Sequence, residues 1–309
     1  MYPPYMVTVR TLGCGLKQRK ANKEIHLMID TWITANADTV QFALFFTLFA
    51  VFGLVEGLVP KRSGPMHRKE RWLTNLVLTT LNVSVLSLLP VTFFGMAVWT
   101  QTQGYGLFNS VALPLGVLVI GTLLARGFIS FFTHYLMHKV PMLWRLHRVH
   151  HLDTELDVTT TVRFHPIEFV VNLLIGVPLV IAFGMTPWVL LLYELLDVVV
   201  TLFSHANIRL PRHIDRVLRY IIVTPDLHRV HHSSWQPETD SNFSAVFPIW
   251  DILFRTFHTE TRMPHETMEL GLEEVRDERT NRILWLLGSP FLSRFTGEAP
   301  GDAAEQRAN

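Results

Sequence analysis

Nine of the chain's fifteen histidines fall in a few short runs. His134-x-x-x-His138 comes first and His147-x-x-His150-His151 follows it. His205 stands alone, and His228-x-x-His231-His232 repeats the second pattern. On an α-helix, residues i, i+3 and i+4 share a face, so each run can aim two or three imidazoles at one point. Neutral imidazole suits iron, zinc or copper, and an iron that activates oxygen needs positions left open beside its nitrogens. Nine imidazoles exceed what one ion can use, so two ions taking four or five each is the natural division. With a single cysteine, Cys14, neither a disulfide framework nor a cysteine-rich metal site can be built.

A lone histidine is more often a surface residue than a ligand, and His67, His213, His258 and His265 are read that way. For the runs that reading fails on arithmetic. At this histidine content, one His-x-x-His-His arises by chance in roughly 3–4% of chains, and two far more rarely.

The elements that must carry these runs are apolar. The 309 residues are 49% hydrophobic, with a mean hydropathy of +0.26, which places the chain in the membrane class. A net charge of +1 and the lack of a basic stripe argue against a nucleic-acid partner. Five apolar stretches approach the ~20 residues a membrane helix needs. They run from Val40 to Val59, Trp72 to Trp99, Val111 to Tyr135, Ile167 to Phe183 and Trp188 to Phe203. The last two, joined by Gly184-Met185-Thr186-Pro187, read as a hairpin that returns to the same side. Lys61, Arg62, Arg68, Lys69 and Arg71 lie between the first two stretches, whereas Thr100 to Ser110 carries no charge. The positive-inside rule then puts the first of these loops in the cytoplasm, together with His138 to His165 and everything from His205 onward. That topology places the N-terminus outside, although Arg10, Lys17, Arg19, Lys20 and Lys23 would hold it inside. A start at Met28, or an incomplete first crossing, resolves the conflict. The tail after Phe295 is small and polar and reads as disordered.

Several further pieces accompany the histidines. They are Pro141-Met-Leu-Trp-Arg-Leu-His147, Arg163-Phe-His165-Pro-Ile-Glu168, Ser204-His205-Ala-Asn207, Thr224-Pro-Asp-Leu-His228, Glu238-Thr-Asp240-Ser-Asn242-Phe and Trp250-Asp251-Ile-Leu-Phe. In this order and spacing they resemble the fatty acid hydroxylase superfamily, in particular its sterol desaturase-like bacterial branch. The resemblance implies an all-α, integral-membrane helical bundle with a cytoplasmic, histidine-rich di-metal cap. It also implies an enzyme of the bacterial inner membrane that hydroxylates or desaturates a sterol or fatty-acyl-type lipid with two iron ions and O2. Carried over by position, the implied ligands are His134, His138, His147, His150, His151, His205, His228, His231 and His232. His165 is a possible tenth, its alternative role being to pin the loop beneath the site. The chain divides accordingly into an N-terminal segment (1–37), N-terminal transmembrane helices (38–119), the catalytic domain (120–257) and a C-terminal cytoplasmic helix and tail (258–309). It departs from the family where Gly127, Ser244 and Arg255 stand.

Candidates to hold a ligand's second ring N–H and so fix its tautomer are Glu168, Asp153, Asp157, Asp226, Asp240, Asn242 and Asp251, with Asn207 beside His205. Glu194, Asp197, Thr201 and His205 form one stripe of the last apolar stretch. That stripe orients His205 or pairs with Arg126. No dinucleotide fingerprint follows a strand pattern, so electrons come from a separate ferredoxin- or cytochrome-type donor. The competing readings are a zinc hydrolase, disfavoured by the shortage of carboxylates in the runs, and a membrane metal-binding or transport protein. A transporter would place its ligands on broken helices at mid-membrane.

Overall fold

The structure is a computed structural model that describes residues 35–63 and 68–292. Met28 with its basic surroundings, Cys14, His67 and the tail after Phe295 lie outside the described residues. The chain divides into two compact units, Met1–Ala43 and Leu44–Asn309. Residues 35–43 of the first are helical, and the second unit is the one described below. Among the described residues there are helices, turns and isolated antiparallel bridges, but no strand.

Among the described residues, five segments are long and apolar enough to cross a membrane: Ala35–Leu58, Arg68–Ser110, Leu115–Lys139, Pro166–Phe183 and Pro187–His205. Their outer faces leave large apolar side chains uncovered, among them Leu54 at 71%, Leu88 at 82% and Leu174 at 69% exposure. No water-soluble surface carries so many. We number the helices α1 (Ala35–Leu58), α2 (Arg68–Leu88), α3 (Phe93–Gln103), α4 (Leu107–Ser110) and α5 (Leu115–Lys139). The expected stretch from Trp72 to Trp99 is therefore two helices. Pro90 lacks an N–H and clashes with the turn before it, so α2 ends at Leu88. Thr92 then caps α3 by accepting from the Gly95 N–H at 3.0 Å.

The expected hairpin is α7 (Pro166–Phe183) followed by α8 (Pro187–His205). Its turn needs Gly184, whose φ is +63° and whose missing Cβ would meet the Tyr105 carbonyl and the Asn109 side chain. Helix α3 packs on α7 and α8, and α5 packs on both. Between them Ala97, Ala125, Ile129, Val180, Met185 and Leu190 form an apolar core.

The short helices α6 (Pro141–His151), α9 (Arg212–Leu218), α10 (Pro225–His231), α11 (Gln236–Thr239), α12 (Ile249–Phe254) and α13 (Ile283–Gly288) complete the unit. Proline opens α6, α7, α8 and α10. There its fixed φ suits the first turn and its missing N–H is no loss. Buried charge ties these pieces to the spans. Arg71 of α2 donates to Asp153 at 2.6 and 2.9 Å and to Asp157 at 3.0 Å. Glu56 of α1 accepts from the Val158 and Asn207 N–H groups, both at 2.7 Å. Lys61 pairs with Asp226 at 3.0 Å. Two of the charges counted for topology, Lys61 and Arg71, are thus internal braces.

Candidate metal centre

The nine histidines of the four runs come together in two groups. One holds His134, His138, His147, His151 and His231, and the other His150, His205, His228 and His232. Within each group one ring nitrogen per residue lies within 4.8 Å of all the others. The two triplets interleave. His147 and His151, four apart, enter the first group while His150 enters the second. His228 and His232, also four apart, enter the second while His231 enters the first. The groups share a wall, where the His151 and His232 rings stack with centroids 4.6 Å apart. His138, His150, His151, His205, His228 and His231 all occupy the last turns of α5, α6, α8 and α10. Four helix C-termini therefore converge, each carrying about −0.5 of an elementary charge, and favour a cation between them.

Hydrogen bonds fix the tautomers. His134 Nδ1 donates to the Phe243 carbonyl at 2.7 Å, and His147 Nδ1 to Glu168 Oε1 at 2.8 Å. His205 Nδ1 donates to the Thr201 carbonyl at 2.8 Å, and His231 Nδ1 to the Ser241 carbonyl at 2.7 Å. In a neutral ring the other nitrogen, Nε2, is then a bare lone pair. Two of those lone pairs face each other, His134 and His147 Nε2 being 3.0 Å apart. That contact repels unless a cation lies between them. In the second group His228 and His150 Nε2 lie 3.0 and 3.2 Å from His205 Nε2. With metal–nitrogen bonds of about 2.1 Å, adjacent corners of an octahedron are about 3.0 Å apart. Both ring nitrogens of His138 and Nε2 of His151 and His231 are buried with no hydrogen-bond partner. Burial holds His150, His151, His228 and His232 well below the usual histidine range and His231 at about 3, so these five rings are uncharged and can ligate. The residues fit a metal.

The fatty acid hydroxylase family model matches residues 119–256. The ornithine lipid hydroxylase OlsE of Rhizobium tropici is 30% identical over 269 residues, which cover 84% of this chain and 77% of that protein. The chain belongs to the fatty acid hydroxylase family. It is an oxidoreductase, a lipid-oxidising membrane enzyme. Human alkylglycerol monooxygenase is 28% identical over 191 residues, covering 59% of this chain but only 41% of that longer protein. A cholesterol 25-hydroxylase-like protein of Danio rerio is 29% identical over 140 residues, 45% of this chain and 54% of its own length. No solved structure matches the chain.

In this member of the fatty acid hydroxylase family the expected orienting residues divide. Glu168 meets His147, and Thr201 holds His205, though by its carbonyl and not its hydroxyl. Asp240 sits 3.5 Å from His138 Nδ1 and accepts from Lys139 at 2.8 Å. Other residues serve elsewhere. His165 stands outside both groups: it caps α7, its Nδ1 accepting from the Ile167 N–H at 3.2 Å, while Nε2 donates to the Leu287 carbonyl. The ring faces its own helix start, the position of the loop-pinning alternative. Asp153 and Asp157 hold Arg71, and Asp226 holds Lys61 and Arg229. Asn207 bonds the Arg62 backbone. Asn242, at φ +55°, bonds the Leu227 carbonyl and the His258 backbone. Asp251 accepts from the Phe243 and Ser244 N–H groups at 2.7 and 2.8 Å, which aims the Phe243 carbonyl at His134. Asp197 and Glu194 lie on α8 above Thr201. Arg126 lies over the rings of Phe93 and Tyr193, with its guanidinium carbon 4.8 and 5.1 Å from their centroids. Three contributors went unnoticed in the sequence: the carbonyls of Phe243 and Ser241, and Phe164, which stacks on His150 at 4.4 Å. A carbonyl has no residue-type signature, and Phe164 is one phenylalanine among 21.

Proposed function

We propose that this fatty acid hydroxylase is a membrane-bound di-iron oxygenase that hydroxylates a C–H bond of a membrane lipid. The observation that carries the reading is the division of nine imidazoles into neighbouring groups of five and four, each drawing on both triplets. A set so rich in nitrogen and poor in carboxylate suits a redox-active first-row metal better than magnesium or calcium. All nine histidines are assigned as ligands. Two irons held there supply the reduction of O2 and the oxidation of an unactivated C–H bond. The reaction consumes one O2, two electrons and two protons, and turns C–H into C–OH with release of water. The protein's part is positional. Glu168 and the carbonyls of Phe243, Ser241 and Thr201 each hold a proton on Nδ1, which keeps Nε2 free and aimed. Phe164 and Phe243 pack against the imidazoles and exclude water.

Hydroxylation is preferred to desaturation because relatives carry the names hydroxylase and monooxygenase. The name of the bacterial relative points to a polar-headed, acyl-bearing lipid as the substrate class. A ferredoxin- or cytochrome-type carrier supplies the electrons, and the centre belongs to the cytoplasmic face of a bacterial inner membrane, a reading supported by the exposed Arg68 and Lys69 at the start of α2. The test joins metal analysis of purified protein to lipid mass spectrometry of a deletion strain and its complement grown under labelled O2. Two tightly held irons per chain and one labelled oxygen in a lipid are expected, with both His150→Ala and His231→Ala abolishing the product. A single readily exchanged ion with unchanged lipids would overturn the reading in favour of metal transport.

A further inference from the structure

The chain from Arg209 to Ile221 follows the last span and is too short to cross a membrane, yet it is built for one. Ile214, Val217 and Ile221 form one helical stripe on and just beyond α9, exposed at 45, 65 and 58%. No described residue covers them. On another face of the same segment, the exposed Arg209, Arg212 and Arg216 form no ion pair with any described residue. The acid of this helix, Asp215, is buried and already engaged by Arg219 and by the Thr224 hydroxyl. A second uncovered apolar face adjoins it. Helix α12 exposes Ile252, Leu253 and Phe254 at 46, 64 and 52%. The Tyr220 and Phe257 rings, 5.3 Å apart, join the two faces.

Their depth follows from what they pack on. Phe254 lies against Phe128 and Phe131, and Trp250 against Phe128, both partners lying on inner turns of the spanning helix α5. Val223 and Val246 share a buried cluster with Tyr193 and Val200 of the spanning helix α8. Residues 220–223 and 246–257 therefore sit beside the spans and not wholly beyond their ends. An apolar patch this large, at this level, faces hydrocarbon. Arginines at its rim then meet phosphates.

We propose that α9 and α12 form a collar sunk into one leaflet, with Arg209, Arg212 and Arg216 gripping the headgroups of anionic lipid. The region after His205 is then not simply aqueous: part of it shares the bilayer with the spans, and the histidine cluster sits within reach of the leaflet from which a lipid would come. The partner is the anionic leaflet itself, and the collar is independent of what chemistry the histidines perform.

The test places a spin label at Val217→Cys or Leu253→Cys, in a Cys14→Ser background, in the full chain reconstituted into phosphatidylcholine–phosphatidylglycerol nanodiscs. Both labels should be relaxed by dissolved oxygen and shielded from a water-soluble nickel chelate, whereas a label at Glu260→Cys should show the reverse. Labels at 217 and 253 as open to the chelate as that at 260 would overturn the collar. Joint Arg212→Glu and Arg216→Glu should abolish the preference for retaining phosphatidylglycerol over phosphatidylcholine, and an unchanged preference removes the anionic grip. If labelled variants fold poorly, hydrogen exchange of the unaltered chain decides: peptides 209–221 and 247–256 should be slower in phosphatidylglycerol discs than in pure phosphatidylcholine ones. Equal exchange in both rejects the proposal. None of these readouts needs turnover, so a failed oxygenase assay and a failed collar are separate results.

Discussion

Among single residues, Glu168 and His165 make the sharpest contrast, because they lie three apart at one helix start and do different work. Glu168 is buried with Oε1 on His147 Nδ1, and its Oε2 has no hydrogen-bond partner. Partners of this kind usually change metal affinity by about 10–100-fold when removed. Glu168→Ala should therefore lose iron at chelator concentrations the native protein withstands. Glu168→Gln, which keeps an acceptor but no charge, should fall between them. Equal iron retention by all three proteins would detach Glu168 from the centre. His165→Ala removes a cap and should cost about 0.5–2 kcal/mol of stability with iron content unchanged. Loss of iron from that variant would restore His165 to the ligands. The ligand runs themselves were legible because helical spacing is periodic and histidine is rare. The difference between Glu168 and Asp157, both plausible partners in the sequence, was not. It depends on where the loop 152–165 folds back, and that is set by Arg71, 82 residues before Asp153.

The elements show where apolar patterning succeeds and where it stops. Runs of apolar residues located all five spans, since a lipid-facing helix must be apolar on most faces. The patterning missed the break at Pro90, because apolar residues continue on both sides of it and hydropathy does not register a lost hydrogen bond. It also took Lys61 and Arg71 for loop charges when they are buried braces. The brace on α2 is open to test. Removing one member of a buried, hydrogen-bonded pair leaves an uncompensated charge and typically costs 3–5 kcal/mol, so about that loss is expected for Arg71→Met. Denaturant titration of the detergent-solubilised protein measures it, and a loss below about 1 kcal/mol would mean that Asp153 and Asp157 find other partners. The arginines beside it, Arg71 and Arg163, hold the Asp153 carboxyl at about 2 despite its burial. Its folded value lies below its ordinary one, so its contribution is complete above pH ~4 and disappears as pH falls through about 2. Replacing Arg71 should therefore flatten acid unfolding in that window.

At the scale of the whole molecule, packing nine imidazoles together, eight of them buried, is a liability that a bound metal would relieve. Unfolded, each histidine takes up a proton below pH ~6.5. Folded, five that lie outside the spans resist it: His150, His151, His228 and His232 far below that value, and His231 down to about 3, all chiefly through burial. The unfolded chain then binds more protons than the folded one, so stability must fall as the pH drops below ~6.5. The slope approaches ~1.4 kcal/mol per pH unit for each such histidine. Metal-free protein should accordingly lose much of its stability between pH 7 and 5, well above the range in which Asp153 titrates. Loaded protein should resist longer, because a ligand that binds only the folded state stabilises it by mass action. Its metal should leave together with the fold and not stepwise, since none of these five imidazoles takes up a proton readily while it remains packed. Metal release and loss of helical signal, followed in one acid titration, should trace the same curve. Release that runs a full pH unit ahead of unfolding would show that water reaches the histidines in the folded state, and the dry centre described here would have to be abandoned.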